Sequence, residues 1–158
     1  MKNEKVQVAI LKELLKPDGK VVYKEMQSVN GMDLDKTMVI PQGEVGYVLS
    51  NADMRVDLIG AQITTLFENE LSGLEEKTEL KPTDVYRIGG KVQKFLYGGN
   101  EDCPVFIDTK LLANFDNPTL YQGRYAPVGV VTIAEYDRIV DKEVIVGLAC
   151  PCRIDNDK

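Results

Sequence analysis

The sequence predicts a mainly β protein: a small β-barrel or sandwich of short antiparallel strands, with an N-terminal amphipathic helix or arm. Three observations lead there. Two β-branched apolar runs, VGVVTI at 128–133 and VIVGLA at 144–149, each have the length of one strand. The pair Gly89-Gly90 separates two further strand-like runs. Short apolar stretches elsewhere recur between Gly, Pro, Asn and Asp clusters, with few helical patterns.

Residues 3–16 have helical spacing. Val6, Ile10 and Leu14 lie four apart, Leu11 and Leu15 sit beside them, and Lys and Glu fill the other positions. Pro17-Asp18-Gly19 ends the helix. So short a helix is marginal alone in water, so it must pack on its own domain or on a partner. Residues 1–18 therefore form a helix or docking arm, and 19–150 form the β domain. That domain has two possible β blocks, 19–67 and 82–150, and a polar tail follows at 151–158.

Strands are expected at 20–23 and 37–40, with a turn at Ser28-Val29-Asn30-Gly31. Val45, Tyr47 and Leu49 alternate on one face; Asn51-Ala52-Asp53 turns the chain; Met54, Val56 and Leu58 then alternate with Arg55 and Asp57. This reads as a meander that breaks at Gly60 and resumes over 63–67. Residues 68–81, ENELSGLEEKTELK, are acidic and predict a solvated loop or one helical turn.

The second block opens at Pro82-Thr83-Asp84. VYRI at 85–88 and KVQKFLY at 91–97 flank the glycine pair as a hairpin. Gly98-Gly99-Asn100 is another turn, and 105–107 a short strand entered through Pro104. Residues 110–126 read as an irregular loop with a helical turn at Leu111-Leu112. Phe115, Leu120, Tyr121 and Tyr125 lie inside it, either packing over the barrel end or contacting a neighbouring subunit. The last hairpin joins 128–133 to 144–149. Both faces of each run are apolar or small, so neither strand is expected to have a wet face.

The chain has 158 residues, a net charge of −6, 44% apolar and 28% charged residues, a soluble globular composition. The acidic balance and scattered Lys and Arg argue against binding nucleic acid through a broad basic surface. No run is long and apolar enough to span a membrane, and the first residues lack a signal-peptide pattern. Manufacture in a cytoplasm is expected, with export only as part of a larger particle.

There is no histidine, which removes His-dependent triads, zinc sites of the HExxH type and the usual imidazole base. Cys150-Pro151-Cys152 lacks a second ligand pair for zinc; these two thiols and Cys103 read as strand-end residues rather than nucleophiles. Asp33, Asp35 and Glu44, or Asp53 and Asp57, lie close in sequence but match no metal loop or catalytic pair. The expectation is a non-enzymatic protein with no cofactor and no metal.

VYRIGGKVQKF, then VFID, then a loop, then PVGVVTI and VIVGL form an ordered set. Over residues 82–149 it resembles the small β-barrel of bacteriophage head decoration and auxiliary capsid proteins. The matching ending is Pro127, Val128, Gly129, Val130 and Val131, then Val144, Val146 and Leu148. The resemblance implies a protein that docks on an assembled capsid shell, often as a trimer, and reinforces it. Its partner would be the major capsid protein or another virion protein, and its place the capsid surface. The candidate contact residues are Val6, Ile10, Leu11, Leu14 and Leu15 of the arm, and Phe115, Leu120, Tyr121 and Tyr125 of the loop. Two other readings stand beside it: another phage part such as a tail, neck or head-fibre base, or a small-molecule barrel using carboxylates or a thiol.

Overall fold

The computed structural model describes residues 1–26 and 35–154. A helix, α1 (Asn3–Leu14), precedes strands β1 (Val22–Glu25), β2 (Lys36–Ile40), β3 (Val45–Ser50) and β4 (Gln62–Ile63). A single helical turn, α2 (Glu68–Leu71), leads to β5 (Thr78–Arg87), β6 (Val92–Tyr97) and β7 (Pro104–Asp108). A 3-10 turn (Thr109–Leu112) leads to β8 (Thr119–Gln122), β9 (Val131–Asp137) and β10 (Lys142–Ala149). The mainly β class with an N-terminal helix is thus the observed one.

The strands pair in the order β4-β1-β2-β3-β10-β9-β8-β5-β6-β7, antiparallel except for β1 with β4. Just past β10, the Cys152 amide donates to the Phe106 carbonyl of β7 at 2.7 Å. That bridge brings the end of β10 back to β7. Pairing therefore runs in a circuit, β10-β9-β8-β5-β6-β7. The other four strands extend from β10 through β3 at Gly147, Leu148 and Ala149. Strands β1 to β4 thus join the circuit at β10.

Alternation then sorts side chains between two cores, because successive residues of a strand face opposite sides. Val39, Tyr47, Leu49 and Ala149 join Val131, Ile133, Leu120, Leu80, Phe95 and Ile107 in the larger core. Met38, Ile40, Val48 and Leu148 face the other way, under Leu71 and Phe67 of the α2 region. Strands β2 and β3 are thus covered on both faces, as their unbroken apolar runs require. Thr132 faces the second layer and donates to the Glu70 carbonyl at 3.0 Å, which ties α2 to β9.

Helix α1 lies on the larger core. Val6 and Ile10 are fully buried in it, and Met1 and Leu14 pack against it. The Lys2 amide donates to the Asn114 carbonyl, and the Met1 ammonium reaches Asp116 at 2.8 Å and Glu135 at 2.7 Å. At the other end Glu13 is buried; it accepts from the Lys16 ammonium at 2.7 Å and from the Gln42 amide. The hydrogen bond from Lys16, and after it that from Gln42, holds its carboxyl below the usual range.

A depressed folded pKa stabilises above the unfolded value and ceases to do so as pH falls through the folded one. The urea midpoint should therefore hold between pH 7 and pH 5 and drop below the ordinary value of 4.5. Glu13→Gln should flatten that drop without abolishing it. Asp116, also held low by its hydrogen bond from the Met1 ammonium, adds to the drop only below its own ordinary value of 3.8. A Glu13→Gln profile parallel to wild type would refute the role of Glu13.

Five expectations are corrected. Residues 54–58 keep the alternation, with Met54, Val56 and Leu58 packed on the core, but they have no ladder partner and form no strand. Their inward side chains cover the core as a strand's would, and only Gln62–Ile63 pairs. Pro82 does not open β5, which already runs from Thr78; it sits at a register shift between Pro82 and Tyr86, where a missing amide is tolerated. The loop at 110–126 contains β8, a strand between β5 and β9 that buries Leu120 and Gln122.

Residues 125–129 close as a turn, with the Val128 and Gly129 amides donating to the Tyr125 carbonyl, and the Ala126–Pro127 bond is cis. Val128 is consequently exposed, and β9 runs from Val131 on to Asp137. The Gly89-Gly90 connection is a four-residue loop closed by Arg87 opposite Val92, rather than a two-residue turn. Both glycines do take positive φ, at 63° and 83°. The expected turn at Ser28-Val29-Asn30-Gly31, Asp33, and the tail residues 155–158 lie outside the described residues.

Candidate functional site

The register places two hairpin loops at the same end of the six-strand circuit. Leu80 pairs with Leu120, and Leu120 with Ile133. From that level, β5 advances to Arg87 in the same direction as β9 advances to Asp137. The loop 88–91 and the loop 138–141 therefore leave the sheet toward the same end.

Both loops carry apolar side chains in water. Ile139 is 95% exposed and Ile88 65%. Val85, Tyr86, Tyr136 and Val140 are exposed around them. Hairpin tips normally carry Gly, Asn, Asp or Ser, so bulky apolar residues at both tips lack a local conformational reason. Charges of both signs border them: Asp84, Arg87, Lys91, Asp137, Arg138, Asp141 and Lys142. An apolar centre with a mixed polar rim is the composition of a protein contact surface.

The loops are also braced. The Asp137 carboxylate accepts from the Ile139 amide at 2.8 Å, and the Tyr136 hydroxyl donates to Asp141. That bond, more than burial, raises the Tyr136 pKa. On β5, Thr83 donates to the Lys94 carbonyl at 2.7 Å and Gln93 donates to the Thr83 carbonyl at 3.0 Å, which fixes the register shift below the tip. Ile88 and Asp141 hold φ of 51° and 54°. The left-handed region is costly for a β-branched residue, and such strain gathers where a surface is used.

The residues singled out in the sequence divide sharply. Val6, Ile10, Phe115 and Leu120 lie in the core, and Phe115 stacks on Tyr47 with ring centroids 5.3 Å apart. Leu14 is half-buried against that core. Tyr121 is half-buried, its hydroxyl hydrogen-bonded to Glu143. Burial, then that bond, pushes its pKa well above the ordinary value. Leu11, Leu15 and Tyr125 remain exposed, the last under the Arg124 guanidinium at 5.0 Å. The sequence reading missed the tips because Ile139 and Val140 sit inside the polar run DRIVDK. Their bulk in a turn was the available signal.

A cleft of about 570 Å³ lies between the α2 region and the 123–130 loop, lined among others by Glu70, Glu75, Glu76, Lys77, Arg124 and Tyr125. Lys77 donates to the Asn69 carbonyl at 2.9 Å and to the Gly73 carbonyl. Burial lowers its pKa against the pull of the three glutamates. Its ammonium is spent on the carbonyls that end α2, a structural use. Among the described residues no group of three or more Cys, Asp or Glu is placed to hold a metal, and no helix is long and apolar enough to cross a membrane. Cys103, Cys150 and Cys152 are free thiols; burial raises the pKa of the last two, against thiolate chemistry.

Comparison with protein-family models, with curated proteins and with solved structures returns no match.

Proposed function

We propose that this chain is a non-enzymatic structural protein that docks on an assembled phage or viral capsid shell and stabilises it, with the two-hairpin end as the docking surface. The observation that carries this reading is the pair of braced hairpin tips that leave the sheet toward the same end with Ile88 and Ile139 exposed. A rigid apolar end with a polar rim suits contact with a preformed protein surface, since little ordering entropy is lost on binding. The resemblance of residues 82–149 to head decoration proteins supplies the identity of that surface.

A decoration protein binds a lattice in many copies, so modest contacts suffice when avidity adds to them. Assembly as a trimer belongs to the same proposal. Purified protein should co-sediment with expanded capsid shells and slow their disruption by heat. Absence from the shell pellet at every salt concentration would overturn the reading. Deleting residues 1–18 is a poor probe of docking, because it removes Val6 and Ile10 from the core.

A further inference from the structure

Helix α1 has a second apolar face. Val8, Leu11 and Leu15 are exposed, and their spacing of three and four places them on one stripe. At 3.6 residues per turn that stripe lies opposite Val6, Ile10 and Glu13, the buried face. Leu15 follows the last helical residue, but its amide still donates to the Leu11 carbonyl, so it stays in line. The spacing is that of the a and d positions of a short helix–helix seam.

The flanks of the stripe are unequal. On one side Gln7 is engaged, donating to the Asp53 carbonyl at 2.8 Å and accepting from the Arg55 amide at 2.7 Å. On the other side stand Lys5 and Lys12, seven residues apart and both exposed. Glu4 stands at the N-terminal end of the stripe, and Lys16, beyond Lys12, is paired with Glu13. The open flank is thus a row of positive charge on a chain of net charge −6.

That asymmetry selects the occupant. A second copy set parallel to α1 would lay Lys5 and Lys12 beside the Gln7 flank, where α1 carries no carboxylate to pair with them, and one set antiparallel about a two-fold axis would bring Lys5 against Lys12 and Lys12 against Lys5. Like charges so placed oppose the pairing. An amphipathic helix with carboxylates beside its apolar seam would meet both features at once.

We propose that the outer face of α1 binds an amphipathic helix of a protein partner, with Leu or similar residues in the seam and Glu or Asp beside it. This site is separate from the hairpin end and shares no residue with it. The seam is short, so binding is weak and salt-sensitive.

The test uses the full chain and two synthetic helical peptides about three heptads long, with Leu at a and d. One carries Glu at its flanking positions and the other Lys. The Glu peptide should bind, more weakly as salt rises, and the Lys peptide should bind at least about tenfold less well. Leu11→Ser with Leu15→Ser should remove binding while leaving the thermal midpoint unchanged, since both side chains are exposed. Lys5→Glu with Lys12→Glu should invert the preference between the peptides.

Equal binding of the two peptides, no binding of either, or binding indifferent to the Leu11 and Leu15 changes would overturn the proposal. So would self-association that those changes abolish, or capture by anionic vesicles in place of the Glu peptide. Variants at Ile88 and Ile139 should leave peptide binding intact, which separates this site from shell docking.

Discussion

Ile133→Asp is expected to unfold the protein. Ile133 is fully buried on β9, paired with Leu120 on one side and Gly147 on the other. Its neighbours in the larger core are apolar, among them Val131, Leu80 and Phe95. A carboxylate there would have no cation and no water, and an unpaired buried charge costs several kcal/mol even after relaxation. A domain of this size has a total stability of about 5–15 kcal/mol, so the change takes most or all of it.

Ile133→Val, which removes one methylene, should cost only about 0.5–1.5 kcal/mol. Val128→Asp, within the same sequence run but exposed on the 125–129 turn, should leave the urea midpoint near wild type. The three variants together read out where β9 begins. A soluble Ile133→Asp protein with a wild-type melting transition would mean that β9 does not cross the core.

Gly147→Ala should destabilise the protein strongly for a single added methyl. Gly147 lies at the register shift of β10, where β3 and β9 both pair with it. A Cβ there would stand 2.5 Å from the Gly46 carbonyl oxygen and 2.6 Å from the Phe115 ring. The ring can turn aside, but the carbonyl belongs to the β3 backbone and cannot move without opening the junction between the extension and the circuit. Overpacking of this kind costs about 1–3 kcal/mol, a fall in melting temperature of about 2–12 °C for a chain of this length.

A double-mutant cycle with Phe115→Leu apportions the effect. The double variant should recover the part due to the ring and none of the part due to the oxygen. Wild-type stability in Gly147→Ala would show that β3 does not approach β10 as described.

Where local chemistry decided the outcome, the sequence was legible. The β5–β6 hairpin was readable because Gly89 and Gly90 occupy backbone conformations that other residues avoid. The inner face of α1 was readable because Val6 and Ile10 repeat with helical spacing. Tertiary pairing hid the rest. Thr119, Leu120, Tyr121 and Gln122 lie among Asn, Pro and Gly, and become a strand only because β5 and β9 stand on either side. Met54, Val56 and Leu58 alternate like a strand and bury like one, yet have no neighbour to pair with.

The candidate surface was less legible than the fold. Periodicity marks apolar residues that face a core, and Phe115 and Leu120 proved to be such residues. Ile88, Ile139 and Val140 belong to no period, and only the register of β5, β8 and β9 brings them to one end. Leu11 and Leu15 were noted beside the inner stripe, but their place on the opposite face, in line with Val8, emerged only when the buried side of α1 was known.

Docking through the hairpin end is tested most directly by sedimenting the Ile88→Ser, Ile139→Ser double variant with expanded capsid shells beside the wild-type protein. Both changed side chains are exposed, so folding should be unaffected, within about 0.5 kcal/mol. Shell binding should fall by tenfold or more, as expected when two central anchors of an interface are removed. A folded double variant that sediments with shells as fully as wild type would contradict the hairpin end as the docking surface.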